Sequence, residues 1–440
     1  MPAAPADSQI YGRLFGDEET TRLFTDSADI RAMLLVEGAL ARVQGALGVI
    51  PAEAAAFIDR ASQEVVIDPA ALAVETAQNG VPVPALLAAF RKGAAAPGPM
   101  QYLHWGATSQ DIMDTALALR LRPMLRLWEA RIAGLLARLA ELAEANASLP
   151  MTGRTYGQAA TPTSFGAVVA AWGWPLLDWQ GRLPALRESV LKVSLSGAAG
   201  TLSAMGEEGP AVRAALAAEL SLADPGHGWH SDRSAPGQLA AFAAGLAGSL
   251  GKLGEDLILL SQSGVGEVTL AGGASSTMPQ KQNPVGPSAL VALARHVVGL
   301  AALVQGAALH RQQRDGAAWF GEWLALPQLC ISTGRMLTLA AETLASLAPD
   351  GAAMARGLEA GQGLIHAEAL SFALAETMPR PEAQAAVKEM CAQAMGTGTP
   401  LLALAAQRFP QTDWAAHLAG AGLGQAPAEA RAFAARVREG

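Results

Sequence analysis

The sequence is poor in the residues that mark several common protein classes. Of its 440 residues only two are cysteine, Cys330 and Cys391. They stand far apart in apolar, helix-like stretches, so no disulfide framework is indicated and a reducing cytoplasm fits. Charged residues make up 16% of the chain, against about 25% in an ordinary soluble domain. So thin a charge predicts extensive burial, including at contacts between subunits. Basic residues number 31 against 39 acidic ones and form no run, which argues against nucleic acid as a partner. The start, Met1-Pro-Ala-Ala-Pro-Ala-Asp7, has neither a basic region nor an apolar run and does not read as a signal peptide. A mean hydropathy of +0.24 raises the question of a membrane. The most apolar stretches, 165–177 and 297–309, fall short of the ~20 residues that a span requires, and Gly173 and Pro175 interrupt the first. The expectation is a cytoplasmic chain with no membrane segment.

What is abundant is alanine and leucine. With aromatics at 5%, this composition favours helix nearly everywhere. Ile30, Met33, Leu34, Leu40, Val43 and Leu47 recur at near-helical spacing, with Asp26 or Ser27 as cap and Pro51 beyond the end. Residues 52–100 carry more turn signals, including Asn79-Gly80 and Pro97-Gly98-Pro99. Past residue 110 come long helical patterns, at 125–147, 162–190, 236–263, 285–312 and 320–347. A helix of about 28 residues is about 42 Å long, and several such helices imply a long bundle. From Pro349 shorter pieces return. No β-hairpin, βαβ pattern or internal repeat is evident. The reading is an all-α protein of three helical domains, 1–110, 111–348 and 349–440.

Polar, small-residue segments at the junctions of an apolar bundle are where chemistry can converge. The longest is Gly272-Gly-Ala-Ser-Ser-Thr-Met-Pro-Gln-Lys-Gln-Asn-Pro284. Its glycines permit motion, and the loop suits a lid as well as a plain linker. Lys281 and Asn283 precede a helix start, where backbone N–H groups also favour an anion. Others are His104–Thr115, Gly153–Thr163 and Ser196-Gly-Ala-Ala-Gly-Thr201. His227 and His230 lack the cysteine or carboxylate cluster that would complete a metal site, so no metal is implied. His296, His310, His366 and His417 read as ordinary helical residues. Trp172, Trp174 and Trp179 read as packing.

The 272–284 segment resembles the signature Gly-Ser-Ser-x-Met-Pro-x-Lys-x-Asn-Pro of the fumarase/aspartase superfamily, with Ala274 in place of the usual glycine. His104-Trp-Gly-Ala-Thr-Ser-Gln-Asp-Ile-Met-Asp-Thr115 and Gly153-Arg-Thr-Tyr-Gly-Gln-Ala-Ala-Thr-Pro-Thr163 are similar to its two other regions, in the expected order. The resemblance spans residues 10–345. It implies a homotetramer with a 20-helix core and active sites shared among three subunits. The implied reaction forms a carbanion beside a carboxylate, held as an aci-carboxylate, with no metal or organic cofactor. Ser275 would move the proton, and Lys281 and Asn283 would hold the carboxylate that takes up charge. The physics agrees. A serine is a poor base unless its surroundings are positive, and the developing charge must be met where it appears. Thr108, Ser109, Thr155 and Gln158 are neutral donors suited to orienting carboxylates. Ser276 and Met278 belong to the same loop, and His104 would bind substrate or move a proton, or else serve as a hydrogen-bonded structural residue.

Many members of the superfamily pair a histidine in the second region with a glutamate after the signature lysine. Here those positions are Tyr156 and Ser288. A reaction whose leaving group departs as a carboxylate needs no such pair. Lactonisation of a muconate is of this kind: one carboxylate adds across the substrate's own double bond, and only the α-carbon needs a proton. Trp319-Phe-Gly-Glu-Trp-Leu-Ala-Leu-Pro327 resembles a segment of bacterial 3-carboxy-cis,cis-muconate cycloisomerases, as do Trp229-His-Ser-Asp-Arg233 and the 196–202 segment. The expected partner is thus a small tricarboxylate, met in protocatechuate breakdown. Arg154 and Arg314 are candidates for making the site positive, although each also suits a surface or capping role. Two alternatives stay open: an adenylosuccinate lyase, and a non-catalytic structural protein of the same superfamily.

Overall fold

The structure, a computed structural model, describes residues 4–274, 278 and 281–439. The first long helix, Asp26–Ala46, is capped by Thr25, whose hydroxyl accepts from the Ala28 N–H at 3.2 Å. The cap thus falls one residue before Asp26 and two before Ser27, the expected candidates. Asp26 and Asp29 instead occupy the first turn, where negative charge meets the positive end of the helix dipole. Gly38 and Gly45 let this helix lie close against Ala52–Glu64. A Cβ at Gly45 would stand 2.3 Å from the Ala55 Cβ, and one at Gly38 would stand 2.2 Å from the Ser62 hydroxyl. Around them Met33, Leu34, Leu40, Ile58, Leu86 and Phe90 form an apolar core.

The long helices are Ser109–Ala145, Phe165–Val190, Ser234–Ser261, Val285–Gly306 and Gly316–Ser346. In the first, Ile132, Leu135, Leu136, Leu139 and Ala143 are buried at three- and four-residue intervals, the mark of a helix packed along one face. The fourth ends at Gly306, six residues before the expected position. His310 therefore lies in a loop, where its Nδ1 accepts from the Asp315 N–H at 3.4 Å. The chain is all-α, with two compact units. One comprises Met1–Arg131, Trp179–Gly248 and Ala292–Thr338; the other comprises Ile132–Asp178, Ser249–Val291 and Leu339–Gly440.

A hairpin corrects the expectation that none exists. Pro150–Thr155 pairs antiparallel with Gln158–Ser164 around the two-residue turn Tyr156-Gly157. Both turn residues have positive φ, +51° and +72°, as a tight hairpin turn requires. The signal is obscured because tyrosine fills a position usually held by Asn, Asp or Gly. Gly153 and Pro162 also break the strand pattern. A second correction concerns apolar length. Val285–Gly306 is long and apolar enough to cross a membrane, which the shorter stretches read from sequence did not suggest. Its Leu290, Val297 and Val304 are buried within the fold.

Candidate active site

In the first unit, the segment before Ser109–Ala145 is held in place from below. Asp111 is fully buried. Its carboxylate accepts from the Thr108 N–H at 3.0 Å and from the Ser196 and Gly197 N–H groups, each at 2.9 Å. It also meets His230 Nε2 at 2.7 Å. A buried carboxylate demands this many donors, and the result fixes Thr108 and Ser109, both half-buried, against the small-residue segment. The neighbouring Gln110 side chain donates to the His230 carbonyl at 2.9 Å and accepts from Arg314 Nε at 2.7 Å. Arg314 Nη2 lies 3.3 Å from the Ala198 carbonyl and 3.5 Å from His230 Nδ1. Arg314 is therefore a half-buried guanidinium aimed by groups from three segments.

His104 lies in the same unit. Its Nδ1 is 2.6 Å from Glu37 Oε1, and its φ is +67°. Burial disfavours the imidazolium, but the charge and hydrogen bond of Glu37 outweigh it; Asp111 adds to them and Arg91 opposes. The net effect holds the His104 pKa above the ordinary histidine value.

The segments Trp229–Arg233 and Trp319–Leu329 meet in an ion triad. The Arg233 guanidinium contacts Asp114 at 2.7 and 2.9 Å and Glu322 at 2.7 and 3.0 Å, all three side chains being buried. Desolvation raises the Glu322 pKa against the pull of Arg233. Beside the triad is a cavity of about 610 Å³ walled by Phe24, Met33, Trp319 and Trp323. Among the described residues its charged groups are Asp26, Asp29, Asp114, Glu322 and Arg120.

In the second unit, Arg154 forks onto Glu267 at 2.7 and 2.8 Å. The Glu267 side chain is buried. A Cβ at Gly357 would stand 3.1 Å from Glu267 Oε1, so a glycine there leaves the pair room. Thr155 and Gln158 are exposed opposite each other at the hairpin end, and Tyr156 at the tip is fully exposed. Farther along, Gly273 pairs with Asn283 and Ala274 with Gln282, closing the base of the signature loop. Lys281 and Asn283 are exposed there; Met278 is 41% exposed, and its carbonyl accepts from the Lys281 N–H at 2.9 Å. Ser275 and Ser276 lie outside the described residues.

The structure thus gathers Thr108, Ser109, His104 and Arg314 in one unit. It sets Arg154, Thr155, Gln158, Met278, Lys281 and Asn283 in the other. Sequence reasoning missed Glu37, Asp111 and Gln110 as partners of these side chains. The last two stand inside the His104–Thr115 segment and invite attention as polar residues at a helix start; Glu37 carries no such signal.

Residues 9–299 match the model of a family described as Lyase. The chain belongs to this lyase family, within the fumarase/aspartase superfamily, and is an enzyme. It is 39% identical to the 3-carboxy-cis,cis-muconate cycloisomerase of Pseudomonas aeruginosa, over 90% of this chain and 87% of that one. The crystal structure of the 3-carboxy-cis,cis-muconate lactonizing enzyme of Pseudomonas putida superposes with a TM-score of 0.92. It is 34% identical and covers 98% of this chain and 99% of that one. An N-acetyl-S-(2-succino)cysteine lyase from Enterococcus italicus is 32% identical over 85% of this chain and 83% of its own length.

Proposed function

We propose that the chain converts 3-carboxy-cis,cis-muconate to a carboxymuconolactone, as a step of protocatechuate degradation in the cytoplasm. The observation that carries this reading is the joint replacement of the superfamily's histidine–glutamate pair by Tyr156 and Ser288. The similarity to cycloisomerases supports it. A substrate carboxylate forms the ring C–O bond by adding to the substrate's own double bond. The α-carbon becomes negative, and its charge spreads into the adjoining carboxylate as an aci-carboxylate. Ser275 then gives that carbon its proton. The nucleophile is already ionised, so no second base is needed. Being intramolecular, the attack gains chiefly from positioning. Lys281 and Asn283 hold the carboxylate that receives the charge, His104 and Arg314 make the surroundings positive, and Arg154, its charge matched by Glu267, anchors the hairpin that carries Thr155 and Gln158. Thr108, Ser109, Thr155, Gln158, Ser276 and Met278 orient the rest of the substrate.

The working enzyme is a homotetramer of three-domain subunits (1–110, 111–348, 349–440), with each site assembled from several subunits. Apolar side chains left exposed on the long helices support this, among them Leu259, Val298, Leu303 and Leu324. The similarity to a lyase named for a succinylated cysteine favours a second reading, elimination from a succinate-type substrate. The deciding experiment follows loss of diene absorbance from 3-carboxy-cis,cis-muconate, with the product identified by NMR. A γ-lactone is expected, with the rate falling about 10²–10⁴-fold in Ser275→Ala. No loss at high enzyme concentration sinks the cycloisomerase reading. Turnover of a succinate-type substrate or adenylosuccinate would then replace it.

A further inference from the structure

Helix Asp26–Ala46 holds the His104 loop at two points on one face. Glu37, whose side chain is fully buried, takes His104 Nδ1, and seven residues on Gln44 donates to the Trp105 carbonyl at 2.7 Å. Around these anchors the backbone is unusual. His104 lies in the left-handed region, which a non-glycine residue occupies at a cost of order 1–3 kcal/mol and which is concentrated at functional sites. Gly106, with φ +74°, sits where a Cβ would meet the Met205 side chain at 2.7 Å. The loop is therefore shaped to present His104 in one orientation.

The contact with Glu37 also decides what the other ring nitrogen can do. With the Nδ1 proton committed to the carboxylate, neutral His104 offers a bare Nε2, and only the imidazolium offers Nε2–H as a donor. The geometry points to Glu37 as the positioning residue that keeps His104 a charged donor, so that Nε2–H captures one of the substrate carboxylates. This rests on the tricarboxylate reading above and assigns Glu37, which makes no claim to touch substrate, a part in it. The charged groups facing His104 are Glu37, Asp111 and Arg91; the first two favour the cation, Arg91 opposes it, and burial works against it. Because the raised value extends the charged form upward, carboxylate capture is complete at low pH and is lost as pH rises through the His104 titration.

The test begins without substrate. Diethyl pyrocarbonate acylates only a neutral imidazole nitrogen, and peptide mapping reads His104 alone across pH. In the native chain the His104 profile is expected to titrate above the free-histidine value of about 6.5, and in Glu37→Gln, whose amide keeps a hydrogen bond without the charge, the profile moves to lower pH. In the muconate assay Glu37→Gln then raises KM about tenfold near pH 8, moves the alkaline limb of kcat/KM to lower pH and changes kcat little. In a His104→Gln background Glu37→Gln adds nothing. A native His104 profile at or below the free value overturns the proposal, and this arm needs no variant to fold. Equal profiles in the native chain and Glu37→Gln, or an equal loss of KM in the His104→Gln background, overturn it too. Absence of muconate turnover in the native chain is a separate failure, that of the substrate reading, and the acylation profiles still judge the pairing.

Discussion

Arg233 brings one positive charge to two buried carboxylates, Asp114 and Glu322. Such a group holds only while every partner is present, because removing one leaves the others charged and dry. Arg233→Met is expected to destabilise the protein by about 3–5 kcal/mol, read as a fall in the thermal unfolding midpoint. Asp114→Asn with Arg233→Met should recover part of that loss, since the two residues share one network. The Trp–Glu–Trp segment that marks the chain as similar to cycloisomerases thus supplies, through Glu322, a structural ion partner. Its resemblance was legible and its role was not. Arg233 and Glu322 are 89 residues apart, and His104 and Glu37 are 67 apart. No local pattern links such pairs; a buried acid in an apolar helix reads simply as a polar interruption.

At the scale of elements, the long helices were readable because alanine and leucine recur with helical periodicity and few glycine or proline breaks. Their ends were less so. Gly306 stops a helix whose apolar pattern runs on to Leu309, and Thr25 caps one whose acidic first turn drew attention to Asp26. The 150–164 hairpin was hidden by Tyr156, which adopts φ +51° without the small side chain that makes this easy. Tyr156→Asn should relieve that strain by about 1 kcal/mol, raising the unfolding midpoint slightly. If the exposed ring at the hairpin tip contributes to a site, the same variant loses activity as it gains stability. A rise in both would remove Tyr156 from the chemistry, leaving it as a turn residue only.

The whole molecule carries its candidate groups in two compact units. His104 and Arg314 lie in one, and Lys281 and Asn283 in the other. The resemblance implies that each site takes these regions from different subunits, and a mixing experiment tests this directly. Ser275→Ala and His104→Gln chains are unfolded together and refolded at equal concentration, and activity is read well below KM, where the first is nearly inactive and the second strongly impaired. With sites built across subunits, a random half of sites draws an intact His104 from the first variant. Half of those draw an intact Ser275 from the second, so about a quarter of native activity returns. With every site built inside one chain, no mixed tetramer holds an intact site and the mixture stays as inactive as its parts. Light scattering on the same sample fixes the subunit number. A mass of four chains with restored activity supports a shared-site tetramer, whereas four chains without it would leave the assembly standing and refute the sharing.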